Sequence, residues 1–151
     1  MPAFPTDLLA ELIQRKHACL VELREMGRRQ FETVVAGSIT ALLDVLAAKQ
    51  RVLVELQAVE RELDPFRHDD PHQRPWRSPE ARQACAATLA QCEALLGEIV
   101  AQEKQSEREL VRRRDEAAAR LRGIQAVGQA RGAYLRGPDF APGQLDLMSE
   151  T

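Results

Sequence analysis

Aromatic side chains are scarce in this chain. They make up 4% of its 151 residues, with one tryptophan and one tyrosine. Much of the 44% hydrophobic fraction is alanine. A thick globular core is hard to fill with such material, and a thin seam between helices is the packing it allows. One sign of charge is not in excess either: 21 basic against 23 acidic side chains leave a net charge of −2. No global field therefore points to nucleic acid or to a membrane surface. No apolar run of membrane-spanning length is expected. The start, "MPAFPTDLL", lacks the basic opening and apolar heart of a signal peptide, so a cytoplasmic protein is the expectation. Cysteine is limited to three residues, Cys19, Cys85 and Cys92. The last two lie seven residues apart on one helix, roughly 10 Å, which is too far for a disulfide within that helix. All three read as small core residues.

What is present is leucine, alanine, glutamate, glutamine and arginine at helical spacing. Thr6 and Asp7 offer caps for a first helix over about 7–35. Its apolar positions include Leu9, Leu12, Ile13, Cys19, Leu20, Leu23, Met26, Phe31 and Val34. Ile13, Leu20, Gly27 and Val34 share one sevenfold line. Gly37 suits a left-handed helix end and Ser38 a new N-cap, so the joint predicts two antiparallel neighbours. The second helix is expected over about 39–64. One of its lines is Ile39, Leu46 and Leu53. The other is Leu42, Lys49, Leu56 and Leu63, with the lysine stem laid along the seam. Residues 65–78, "PFRHDDPHQRPWRS", form a connector that Pro65, Pro71 and Pro75 keep from being helical. Ser78 with Pro79 then starts a third helix, expected to run to about 135. Cys85, Leu89, Cys92, Leu96 and Ile99 give it an early seam. The polar run "AQEKQSERE" follows, and apolar spacing resumes at Leu110. Gly123 and Gly128 weaken this stretch by about 1 kcal/mol each relative to alanine and predict a kink or frayed end. Residues 137–151 are expected to be a mobile tail. The fold class predicted is all-α: an antiparallel three-helix bundle or coiled coil, in one domain of residues 1–151, with a third helix overhanging its partners.

Chemistry is as thin as the core. "HDDPH" at 68–72 is the one place where histidines and carboxylates crowd. In a proline-rich loop without further spaced ligands it reads as a solvated connector rather than a metal site. "RRR" at 112–114 spreads its charges around a helix, about 100° apart, so it makes no flat patch for nucleic acid. No catalytic residue, metal ligand or cofactor site is expected, and the chain reads as no enzyme. The third helix offers something else. Beyond residue 108 it outruns the first two, yet it still carries Leu110, Ala117, Leu121, Ile124, Val127, Tyr134 and Leu135. An apolar stripe without cover finds a partner. From Arg108 to Arg136, eight arginines face Glu109, Asp115 and Glu116, a local charge of +5 that fits acidic company.

Two stretches carry a family likeness. "AGSITALLDVLAAKQRVLVELQAVERELDPF", residues 36–66, resembles the N-terminal hairpin of the FlgN-type flagellar export chaperones. Its matching features are Gly37, the Leu42–Leu43 pair, Lys49 with Gln50, and Leu53 with Leu56. "LRGIQAVGQARGAYLRG", residues 121–137, is similar to the end of that family's last helix, with Gly128 and Tyr134 in the matching places. Export chaperones of the FliT type are the related alternative. The resemblance implies a cytoplasmic chaperone of type III flagellar export. Its last helix, through Leu110, Ala117, Leu121, Ile124 and Val127, would bind the C-terminal helices of hook–filament junction proteins and shield them from premature assembly. Tyr134 would dock on the cytoplasmic domain of the export gate. The other expectation is a structural coiled-coil protein that homodimerises through the third helix. Neither reading involves nucleic acid or stable membrane insertion.

Overall fold

The computed structural model describes residues 4–140, with side chains to residue 136. Three α-helices account for most of it: α1 (Pro5–Ala36), α2 (Ile39–Leu63) and α3 (Pro79–Phe140). No strand occurs among the described residues. The chain divides into two units, one ending at Glu109 and the other beginning at Leu110.

The helix ends follow the local chemistry, with one change. Thr6 and Asp7 were expected to cap α1, but the cap position belongs to Phe4. Pro5 fits the first helical position because its missing N–H has no helical partner there. Asp7 reaches back from the third position, accepting from the Phe4 N–H at 3.1 Å. Thr6 is freed for another task and donates its hydroxyl to the Pro75 carbonyl at 2.6 Å. At the other end Gly37 takes φ 74°, a left-handed conformation that costs glycine least. The Gly37 and Ser38 N–H groups donate to the Val34 and Thr33 carbonyls, both at 3.1 Å, and so satisfy the end of α1. Ser38 accepts from the Ala41 N–H to open α2, and Ser78 accepts from the Ala81 N–H to open α3.

In the first unit the helices make a bundle with a thin core. Leu12, Leu20, Val59 and Cys92 are closed to solvent, and Leu9, Ile13, Leu23, Val52, Leu63 and Leu95 are nearly so. Arg15 pairs with Glu62 at 3.4 Å and Lys16 with Glu60 at 3.1 Å, while Lys49 lies opposite Gln30. Partner numbers thus fall along α2 as they rise along α1. Along α3 they rise instead: Gln14 donates to Thr88, and the Arg24 carbonyl accepts from Gln102. On α1 the sevenfold line continues through the whole helix as Thr6, Ile13, Leu20, Gly27 and Val34, all buried. A Cβ at Gly27 would stand 2.3 Å from Gln102 Oε1, so α1 and α3 meet closely here.

On α2 one of the two expected lines faces inward, and of the other only Leu53 packs partly buried against the core. Leu42, Lys49 and Leu63 are buried, joined by Val52 and Val59. Ile39 and Leu46 are exposed, which corrects their assignment to the seam. The inward set steps by three and four from Lys49 through Val52, Leu56 and Val59 to Leu63, and Ile39 and Leu46 lie on the next strip of the helix. On α3 the expected Cys85 and Cys92 are buried, whereas Leu89 and Leu96 are exposed and Leu95 takes the inward place. Burial pushes the Cys19, Cys85 and Cys92 thiols above their ordinary pKa, and all three are free.

Two further expectations change. Gly123 and Gly128 do not end α3, which continues through Phe140. The predicted tail therefore begins no earlier than residue 141, outside the described residues. The connector holds no continuous helix, as its prolines require, and forms two 3₁₀ turns, Asp64–His68 and Pro71–Gln73. Asp70 of the HDDPH cluster is occupied locally, accepting from the His72 N–H at 3.0 Å. Finally, α3 contains a stretch long and apolar enough, by length and composition, to cross a membrane. Only 17% of that stretch is buried, with Cys85, Cys92 and Leu95 in the core.

Candidate functional site

The residues singled out for partner binding all lie on α3 beyond Glu109. No described side chain from Leu110 to Arg136 is buried. Leu110 is 42% exposed, Leu121 56%, Ile124 68% and Val127 60%. Ala117 is exposed as well. An α-helix turns about 100° per residue, which places Leu110, Ala117, Leu121, Ile124 and Leu135 within about 60° of arc. These five make one narrow stripe. Val127 stands roughly 60° and Tyr134 roughly 80° farther round, on its flank. Leu135, 63% exposed, belongs to the stripe though sequence reasoning left it out of the binding set. Its signal was present, since it falls two heptads after Leu121.

The same geometry sets arginines along both sides. Arg113, Arg120 and Arg131 border the stripe on one side and Arg114 on the other, each within about 40° of it. The local acids are engaged by their neighbours: Arg112 pairs with Glu116 at 2.6 Å and Arg114 with Asp115 at 3.3 Å. Arg120 and Arg122 make no ion pair among the described residues. A narrow apolar strip with cationic margins is chemically suited to an amphipathic helix that carries carboxylates beside its apolar face.

Tyr134 is 79% exposed, the most open of these side chains. It combines an apolar ring with a hydroxyl that is available to a partner.

The middle of the bundle holds a second polar feature that sequence reasoning only half found. Lys49 is 9% exposed, and its ammonium donates to Gln30 Oε1 at 2.9 Å and contacts the Glu103 carboxylate. Ser106 lies nearby in the heptad of α3 and is 1% exposed. Burial pulls the Lys49 pKa below its ordinary 10.5. A lysine stem along the seam leaves its ammonium room to reach water. Its head is instead held inside by groups from both other helices. No three histidine, cysteine or acidic side chains among the described residues are grouped to hold a metal ion.

No protein-family model matches the chain, and no curated protein or solved structure matches it.

Proposed function

We propose that this chain is a helix-binding export chaperone of the FlgN type, in which residues from Leu110 onward capture an amphipathic helix of a client protein. The observation that carries the reading is the stripe of Leu110, Ala117, Leu121, Ile124 and Leu135, exposed along its length and bordered by arginine. Apolar area of this kind is stabilised by removal from water, at roughly 25 cal/mol per Å². The clients are the C-terminal helices of hook–filament junction proteins, held in the cytoplasm until export. Tyr134, beside the stripe rather than on it, docks the loaded chaperone to the export gate. The residues before Glu109 serve as the folded base, an antiparallel three-helix bundle that needs no catalysis and no cofactor.

The charge pattern separates this reading from the structural coiled coil. Two copies paired through the same stripe would bring together two segments of charge +5, and like charges across an interface oppose binding. An acidic client meets the same surface favourably. The test is a pull-down with the C-terminal segments of junction proteins. Leu121→Asp with Ile124→Asp should abolish capture while the circular dichroism of the bundle is unchanged. Capture at the parental level in that double variant would remove the stripe from consideration. A stable dimer in light scattering at micromolar concentration, lost in the same variant, would favour the homodimer instead. Tyr134→Ala should retain the client and lose binding to the gate domain.

A further inference from the structure

Beneath the connector, at the end of the bundle away from Gly37, lies an open cavity of about 320 Å³. It belongs wholly to the first unit. That size is at the small end of the range for small-molecule sites, roughly 300–1,000 Å³. Its walls are apolar, built from Leu9, Ile13, Leu63, Phe66 and Leu89 with the Trp76 ring. Its charged lining is of one sign: Lys16, Arg67, Arg74 and Arg82, with no aspartate or glutamate among the lining residues.

Two of those four cations are already neutralised. Lys16 pairs with Glu60, and Arg67 pairs with Glu60 and Asp64. The other two are not. Arg74 donates one Nη to the Phe66 carbonyl at 2.6 Å and makes no ion pair among the described residues. Its Nε–H is buried with no hydrogen-bond partner among them. Arg82 makes no ion pair or hydrogen bond to any described side chain. The Trp76 Nε1–H is likewise buried and unpartnered. A guanidinium presents a fork that fits a carboxylate, and the surrounding walls suit a hydrocarbon.

We propose that this cavity binds a monocarboxylate carried on a compact apolar tail, its head against the guanidinium groups of Arg74 and Arg82 and its tail against Leu9, Ile13 and Leu89. Both a free fatty acid and the apolar C-terminal residue of a polypeptide present this chemistry. The site is independent of the client-binding reading, because none of its residues lies on the stripe.

The single tryptophan makes the test direct, since its indole N–H gives one resonance in a proton–nitrogen spectrum of the full chain. Decanoate, below its micellar concentration, should shift that resonance saturably. 1-Decanol should bind about tenfold more weakly or worse, the loss expected for one charge-assisted hydrogen bond. Arg82→Gln should weaken decanoate by about tenfold and leave decanol unchanged, with the fold intact because Arg82 is exposed and its side chain makes no ion pair among the described residues. A short acetylated peptide ending in leucine, tested beside its C-terminal amide, distinguishes the sources. Tighter binding of the free-acid peptide than of decanoate assigns the site to polypeptide ends, and the reverse order assigns it to fatty acids. Equal affinity for decanoate and decanol, no indole shift with any carboxylate, or an unchanged decanoate affinity in Arg82→Gln would overturn the proposal.

Discussion

Lys49 shows what a single side chain imposes on a thin core. Its ammonium sits among Gln30 and Glu103 in a place where leucine would pack more simply. A buried polar group of this kind is costly out of register, because any slip leaves it without partners. Its protonation also couples to stability. The native state holds the Lys49 pKa below the ordinary 10.5, so between the depressed value and 10.5 the unfolded chain binds more protons. Stability should therefore rise with pH through that window, and the gain should be complete above 10.5. Urea midpoints across the alkaline range should show this component in the parent and lack it in Lys49→Met. A second prediction at this scale separates the two faces of α2. Leu63→Ala, at a position 6% exposed, should cost about 2–5 kcal/mol, whereas Ile39→Ala, at 66%, should stay within about 0.5 kcal/mol. Equal losses would contradict the burial pattern.

Among the elements, the connector keeps its HDDPH residues exposed while its far end is tied down. Three contacts fasten it to the start of α1. Thr6 donates to the Pro75 carbonyl, Arg77 pairs with Asp7, and the Arg77 guanidinium stacks 5.0 Å from the Phe4 ring. The Arg77 hydrogen bond holds the Asp7 carboxyl below its ordinary 3.8. A depressed carboxylate stabilises the fold above 3.8 and loses that contribution as pH falls through its native value. Trp76 fluorescence should therefore shift to the red in acid before the helical signal fails. In Asp7→Asn the shift should already be present at neutral pH. A parental spectrum in that variant would mean that Thr6 and Phe4 suffice.

Helices and their joints were legible because Gly37, Ser38, Ser78 and the four clustered prolines act locally. The fastening was not, because Thr6 and Pro75 are 69 residues apart and no periodicity links them. The choice between Leu95 and Leu96, or between Val59 and Leu46, was obscured for a related reason. Leucine-rich helices carry more apolar side chains than one seam can bury, and only the partner helices decide which are used. The exposed stripe was legible as a pattern of spacing. The cavity under Trp76 was not, since its cations come from Lys16, Arg67, Arg74 and Arg82 on separate elements.

For the whole molecule, the uneven distribution of burial implies uneven resistance to unfolding. Among the described residues, every buried one lies before Glu109. Segments with few buried contacts open at low free energy. A chain ending at Glu109 should keep the urea midpoint of the parent, since no described side chain that the deletion removes is buried. Amide exchange from 110 onward should be far faster than in the first unit. Binding of a client should slow it, because anything that holds the ordered form stabilises it by mass action. A midpoint lowered by the truncation would show that the later helix contributes to the core after all.

The three cysteines turn this unevenness into a clock. Each thiol sits in the interior of the first unit and its pKa is raised by burial, so an alkylating reagent must wait for that unit to breathe before it can react. Labelling rates thus time the opening of the base alone and are silent about the arm, whose leucines carry no sulfur to mark.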